Sequence, residues 1–478
     1  MVFSSSVFIF IFLPIALLGY YLLSLIKQEW GIRVQRLFLV IVSIVFYGYF
    51  KIEYAKIIVI SIVINYGCAL ICQKYAKTRI GFVFFILGVL FNVLLLGYYK
   101  YFDFLRDTLN HITGSSFEYL NILLPLGISF FTFQQLSFLV SVQKREERVA
   151  GFINYSLFVT FFPQLVAGPI VTYSEMMPQF EDMSLRKFNF DNMSRGIYIF
   201  IIGLTKKLVI ADTLALFVSN GYNLNTYGLA AAWLTSLAYT MQIYFDFSGY
   251  SDMAIGLGNM FNIKLPMNFN SPYKSASIQE FWGRWHMTLG RALSTFIYIP
   301  LGGNRKGLAR TYFNLMVTFF ISGLWHGASW TFVVWGCLHG IVNVLERVFK
   351  RGLNRIPRIL RVAGTFLFVN AACVFFRAPT FGKALAILKG MASFQSLRIS
   401  QVNQIVYDGI FTYPLSINLL YIGSLLAILL FIVFFTINSV EYLQKFTSTV
   451  GNLLISCALF VVSVIHLSRL STFIYFNF

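Results

Sequence analysis

The sequence predicts an all-α polytopic membrane protein, and three observations carry that expectation. Hydrophobic residues make up 58% of the 478 and charged residues only 12%, about half the charge of a soluble domain. Mean hydropathy is +0.73. The apolar residues also gather into repeated runs of about 20, the length of helix that crosses a hydrocarbon core of roughly 30 Å. Lipid offers the backbone no hydrogen bonds, so runs of this length must satisfy their own N–H and C=O groups as helices. One membrane domain over residues 1–478 is expected, with about eleven spans plus re-entrant and interfacial helices, and a chemistry-bearing core over residues 121–345.

The first run, Ser6 to Ile26, has no basic residue ahead of it and no small-residue cleavage site behind it, which predicts a retained span. Lys27, Arg33 and Arg36 follow it and place that end in the cytoplasm, with the N-terminus outside. Spans are expected over 37–50, 55–73 and 80–99, and then a mixed region, Tyr101 to Phe117, in or outside the interface, where His111 reads as a solvated loop histidine. In NILLPLGISFFTFQQLSFLVSV (121–142) Pro125 and Gly127 interrupt an apolar run; in SLFVTFFPQLVAGPI (156–170) Pro163, Gly168 and Pro169 do the same. Broken backbone at membrane depth is tolerated only where protein buries it or it lines water.

Ser174 to Arg195 turns polar and is expected outside the membrane. In GIYIFIIGLTKKLVIADTLALFV (196–218), Lys206, Lys207 and Asp212 predict a helix that is tilted, broken or snorkelling near an interface. A run from Trp233 to Phe247 leads into YFDFSGYSDMAIGLGNM. There Asp246 and Asp252 stand six residues apart and would leave an unbroken helix on different faces. Gly249 between them predicts a bend, so the two acids either cap short helices or wall a polar cavity. Further spans are expected over 362–376, 414–437 and 449–466, with an external or interfacial excursion over 379–413 and His466 at the end of the last run.

The formal charge of +19 is dispersed through short loops, where topology signals and anionic headgroups explain it, so membrane lipids are the expected partner and nucleic acid is not. The five cysteines, Cys68, Cys72, Cys337, Cys373 and Cys457, lie in or beside apolar segments and read as buried structural thiols, without a disulfide framework or a zinc site. The sequence contains no phosphate-binding loop, no dinucleotide fingerprint, no HExxH metal motif and no serine nucleophile elbow. Expected bound cofactors and metals are therefore none.

What remains is the stretch from Gln279 to Gly340, which opens QEFWGRWHMTLGR, passes IYIPLGGNRKG and enters FFISGLWHGASWTFVVWGCLHG. His326 lies in the middle of that last apolar run, where an uncompensated polar group is expensive, so it is a functional residue by default. His286 stands 40 residues earlier among Trp282, Arg284, Trp285 and Met287, an aromatic and basic mixture suited to an interface. Gly323 and Gly327 flank His326 and permit close approach of a backbone or a substrate. A neutral imidazole in a water-poor cavity can take a proton from a hydroxyl and later return it, which is what acyl transfer to an alcohol requires. His326 and His286 are the catalytic candidates; Trp282, Arg284, Trp285, Ser322, Trp325, Asp246 and Asp252 are the candidate walls of a substrate tunnel. His339 follows His326 by 13 residues, about 220° round and roughly 20 Å along a continuous helix, so an unbroken helix keeps it out of the same site. Broken helices and a polar midplane also suit a transporter or flippase, although no repeat halves are visible.

FWGRWHMTLGRALSTFIYIPLGGNRKG followed by SGLWHGASWTFVVWGCLHG resembles the bacterial branch of the membrane-bound O-acyltransferases, the branch of alginate O-acetyltransferase. The resemblance extends over LPLGISFFTFQQLSFLV, FFPQLVAGPI, GLTKKLVIAD and YFDFSGYSDMAIGLGNM. It implies spans ringed around a central tunnel, with His326 at the family's catalytic position and His286 at its second polar position. It also implies acetyl-CoA as the cytosolic donor, a multi-pass place in the bacterial inner membrane, and an exported polysaccharide acceptor of the alginate, cellulose or peptidoglycan type. A separate periplasmic acetyltransferase is the implied partner for the last step to sugar.

Overall fold

The computed structural model describes residues 1–394, 396–407, 414–468 and 474. Among them the chain is helical without strands. Five helical runs are long and apolar enough to cross a membrane: Trp30–Gly48, Ile52–Lys74, Arg79–Thr113, Arg358–Arg377 and Leu415–Phe435. The all-helical class is as expected; among the described residues most of the remaining helices are shorter or carry more polar residues than these five. The chain forms two compact units, one of Met1–Ile201, Tyr250–Pro266 and Thr447–Leu453, the other of Ile202–Gly249, Met267–Phe446 and Leu454–Phe478.

In the first unit, helices α1 (Leu13–Ser24), α2 (Glu29–Gly48), α3 (Ile52–Lys74) and α4 (Arg79–Leu96) follow the predicted spans. The mixed region after α4 is not a loop. A π-helical turn over Gly97–Tyr101 continues into the helix Phe102–Thr113, which stops where Gly114 takes φ +67°. Tyr101 to Thr113 contains no proline or glycine to stop it, and His111 therefore sits on a helix, exposed, with its ring nitrogen 3.5 Å from the Asp107 carboxylate one turn back.

Both proline-marked breaks are real. α5 (Ile128–Lys144) begins only after Gly127 at φ +69°, and α6 (Phe152–Thr160) is followed by the four-residue turn Phe162–Leu165. A Cβ on Gly127 would meet the carbonyl oxygens of Leu165 and Val166 at 2.9 Å, so the two irregular segments pack backbone to backbone. Residues 155–171 are all buried, which is the condition broken backbone needs at membrane depth. α3, α4, α5 and α6 are joined by a buried polar ladder with no sequence signature. Asn92 donates to the Asn65 Oδ1 at 2.5 Å, Gln135 to the Ser61 hydroxyl at 2.9 Å, and the Tyr155 hydroxyl to the Gln135 Oε1 at 3.1 Å. In hydrocarbon such bonds fix which helices associate, at about 0.6–2 kcal/mol each. The polar segment after α6 forms the helix Tyr173–Glu181, opened by a reciprocal capping box between Thr172 and Glu175. Beyond it Arg186 turns inward, donating to Gln35 at 2.7 Å and to the carbonyl oxygens of Leu23 in the last turn of α1 and Ile26 just after it.

In the second unit, Lys206 and Lys207 open a π-helical stretch, Lys206–Ala211. Neither lysine snorkels freely. The Lys206 ammonium donates to the Ser439 hydroxyl at 2.9 Å, and Lys207 is buried between Asp212 at 2.7 Å and Asp246 at 2.8 Å. The expected bend at Gly249 is absent: α7 (Leu229–Met260) runs unbroken for 32 residues, so neither acid caps a helix. Gly249 serves close approach instead, since a Cβ there would lie 2.7 Å from the Gly203 carbonyl oxygen. Asp246 and Asp252 are both buried, Asp252 on the stretch of α7 that packs within the first unit. The short helices α8 (Ile278–Trp282) and α9 (Met287–Leu293) follow, then the pair α10 (Gly307–His326) and α11 (Trp330–Val348), and finally α12 (Arg358–Arg377). α10 and α11 cross in backbone contact, because a Cβ at Gly323 would strike the Phe332 carbonyl and one at Gly336 the Phe319 carbonyl. All five cysteines are free thiols; Cys72 and Cys373 are buried, whereas Cys457 is exposed on the apolar helix Val450–Ile465, where lipid rather than protein is its natural cover.

Candidate active site

His326 is the last residue of α10. The helix stops there because Gly327 takes an extended backbone and Ser329, with its hydroxyl accepting from the Thr331 N–H, caps the start of α11. Glycine is required at 327, since a Cβ would run into the Phe332 ring. The apolar run read as continuous is therefore two helices folded against each other, and that fold decides the site.

His286 occupies the turn between α8 and α9, at φ +44° and ψ +50°. A residue with a Cβ held in this left-handed region costs on the order of 1–3 kcal/mol, which neighbouring contacts must offset. Asn268 Oδ1 accepts from the His286 ring at 3.1 Å, and the Phe247 ring stands perpendicular to the imidazole at 4.7 Å. The His286 and His326 rings are 6.3 Å apart, centroid to centroid, and both are buried. Trp325 lies against both, at 5.9 Å from His286 and 5.1 Å from His326.

The break after His326 overturns the expectation for His339. With α11 folded back, His326 and His339 face one small cavity together with Trp285, Trp335, Cys373 and Phe376. Trp335 bridges the two imidazoles, its ring 5.1 Å from His326 and 4.8 Å from His339. The Trp282 indole N–H donates to His339 Nδ1 at 3.3 Å, and an indole can only donate, so the lone pair of His339 is on Nδ1. The helical geometry that separated the two residues held only for a helix without a break. We expect His339→Leu, which strands the Trp282 N–H at a cost of about 1–3 kcal/mol, to lower both thermal stability and turnover; parental values for both would place His339 outside the working site.

The other sequence candidates divide. Trp285 lines the histidine cavity, while Trp282 and Ser322 wall a neighbouring pocket of about 360 Å³ together with Arg291, Asn343 and Arg347. Arg284 pairs with Glu280 at 3.0 Å and donates to the Asn270 carbonyl at 3.2 Å. Asp246 is engaged by Lys207 and accepts from the Ile474 N–H at 2.8 Å. His466 is half-buried at the end of its helix. Beside His326 the free space is a cavity of only about 10 Å³, room for one water. Sequence reading missed Asn268, Trp335 and Cys373. The loop signal that would have found His339 was present: glycine at 327 and a serine at 329, two residues ahead of a fresh apolar period. Among the described residues no group of His, Cys, Asp or Glu has the arrangement to hold a metal ion.

A family model described as the membrane-bound O-acyltransferase family matches residues 115–378, which take in every residue of the histidine cavity. The chain is 44% identical over 434 residues, 84% of its length and 82% of the relative's, to a peptidoglycan O-acetyltransferase of Helicobacter pylori. It is 41% identical over 419 residues, 86% of its length and 78% of the relative's, to a Pseudomonas aeruginosa protein named probable alginate O-acetylase AlgI. A teichoic acid D-alanyltransferase of Bacillus subtilis is 26% identical over 336 residues, 64% of this chain and 80% of that one. With a family match that spans the buried imidazoles and relatives more than 40% identical over most of both chains, the chain belongs to the membrane-bound O-acyltransferases.

Proposed function

We propose that this protein takes acetyl from cytosolic acetyl-CoA and delivers it for O-acetylation of an exported or cell-wall polysaccharide, through a periplasmic acetyltransferase partner, from the bacterial inner membrane. The observation that carries the chemistry is the buried pair of imidazoles, His286 and His326, with ring centroids 6.3 Å apart. The names of the relatives, an acetyltransferase and an acetylase acting on polymers, support the acyl group and the acceptor class. A transporter without chemistry is not favoured, since the family matched is one of acyltransferases and the relatives are named for O-acetylation.

His326 is the general base. Its neutral ring takes the proton of the acceptor hydroxyl as that oxygen attacks the thioester carbonyl; the tetrahedral intermediate collapses, the C–S bond breaks and the leaving sulfur recovers the proton as CoA thiol. Trp335 suits stabilisation of the intermediate's oxyanion: its indole N–H is buried, has no hydrogen-bond partner among the described residues, and belongs to a ring that touches His326. On the donor side, Arg291 and Arg347 at the 360 Å³ pocket supply cations for the phosphates of acetyl-CoA. Space for about one water beside His326 means that the acetyl group enters only as side chains around the cavity move apart.

The test is radiolabelled acetyl-CoA offered to the purified full chain in lipid vesicles, with and without candidate periplasmic partners. Label released from CoA, and lost again in a His326 variant, is the expected result. No thioester cleavage under any of these conditions would remove the enzymatic reading.

A further inference from the structure

The left-handed turn at His286 is clamped from one side by a short return segment. The Met287 N–H donates to the Asn268 carbonyl at 3.0 Å and the Asn270 N–H to the Arg284 carbonyl at 2.9 Å, so residues 268 and 270 bracket the turn. The Asn268 side chain then fills its inside. Its Oδ1 accepts from the Thr288 N–H at 3.3 Å, from the Thr288 hydroxyl at 3.0 Å, and faces His286 Nδ1 at 3.1 Å.

One of these contacts decides the others. A backbone N–H can only donate, so the amide atom facing Thr288 N is oxygen, and the orientation of the Asn268 amide is fixed by chemistry. That same oxygen faces Nδ1 of the imidazole. Two acceptors repel, so Nδ1 carries the hydrogen and the lone pair of neutral His286 is on Nε2. His339 has the opposite arrangement, because the donor-only Trp282 indole occupies its Nδ1. Two buried histidines of one cluster thus hold their protons on different nitrogens, each set by a neighbour with no freedom of role.

We infer that Asn268 is a positioning residue for the acyl-transfer site: it fixes the Nδ1–H tautomer of His286 and so directs a basic Nε2 into the histidine cluster. The rate consequence rests on the acetyl-transfer reading above; the tautomer does not. A glutamine at 268 would be one carbon too long for this turn, and an apolar residue would leave both Thr288 and the imidazole without their common acceptor.

The chain has five histidines, so the imidazole region of a ¹⁵N-histidine spectrum of the full protein in lipid nanodiscs is sparse enough to assign, with His286 identified as the signal lost in His286→Gln. The expected spectrum has His286 Nδ1 protonated and Nε2 unprotonated. Asn268→Leu is expected to move it to a tautomer mixture and to lower kcat about 10–100-fold at nearly unchanged KM, less than the loss of a general base itself. Asn268→Asp, which keeps the acceptor oxygen, should retain the Nδ1–H form and recover most of the rate. In a His286→Gln background Asn268→Leu should add nothing. A parent spectrum with hydrogen on Nε2, or an equal loss of rate from Asn268→Leu with and without His286, overturns the assignment. Absence of any acetyl transfer in the parent would defeat the functional reading alone, with the tautomer spectrum still deciding the role of Asn268.

Discussion

His326→Gln is expected to fold and to insert, and to transfer acetyl about 10²–10⁴-fold more slowly than the parent, the range over which a positioned general base accelerates proton transfer. Glutamine fills much of the imidazole volume and can hydrogen-bond, yet it cannot accept a proton and give it back. The rings of Trp325, Trp335 and Phe376, all within 5.2 Å of the His326 ring, hold the space open, so the substitution should not collapse the cavity. Acetyl-CoA binding measured separately should survive, which separates chemistry from packing. The pH profile follows from the same assignment: the base works only while neutral, so the parent should lose activity as pH falls through the imidazole titration and keep it on the alkaline side. Should His326→Gln retain most of its transfer, the base must be sought at His286 or His339.

Lys207→Met is expected to be the most destabilising single change in the second unit. Lys207 is held between the Asp212 and Asp246 carboxylates at 2.7 and 2.8 Å, with all three side chains at most 4% exposed. Taking away the cation leaves two carboxylates facing each other out of water, and breaking a buried pair in this way costs about 3–5 kcal/mol. Asp246 also accepts from the Ile474 N–H at 2.8 Å, so that contact should weaken with it. Thermal denaturation in detergent reads the first effect and protease sensitivity of the C-terminal residues the second. Replacing Lys207, Asp212 and Asp246 together with apolar residues of similar size should restore much of the stability, because no stranded charge remains. A Lys207→Met protein as stable as the parent would mean that this cluster is solvated in the membrane-embedded molecule.

The helices and their breaks were legible because each follows from a local rule. Apolar runs near 20 residues must close their own hydrogen bonds, and Pro125, Pro163 and Pro169 lack the N–H that a continuing helix needs, while Gly127 takes the left-handed conformation from which α5 starts. His326 and His286 became candidates for a related reason, since a titratable ring surrounded by tryptophan and glycine in an apolar stretch has few inexpensive explanations. Local rules also misled where a signal had two meanings. Gly249 marks close helix packing rather than a bend, and the helix expected to be tilted, broken or snorkelling at Lys206–Lys207 has a π-helical stretch there, with Lys207 in a buried charge cluster and Lys206 bonded to Ser439.

The sequence by itself determined that the chain is helical and membrane-embedded, and that its backbone is interrupted near Pro125–Gly127 and Pro163–Pro169. Tertiary structure alone decided which groups meet. Lys207 and Asp246 are 39 residues apart, Asn65 and Asn92 are 27 apart, and His326 meets His339 only because three residues between α10 and α11 reverse the chain. Hydropathy and helical period act over one or two turns, whereas a hydrogen bond across helices depends on rotation and depth set by every other contact, and no single stretch of sequence carries that sum.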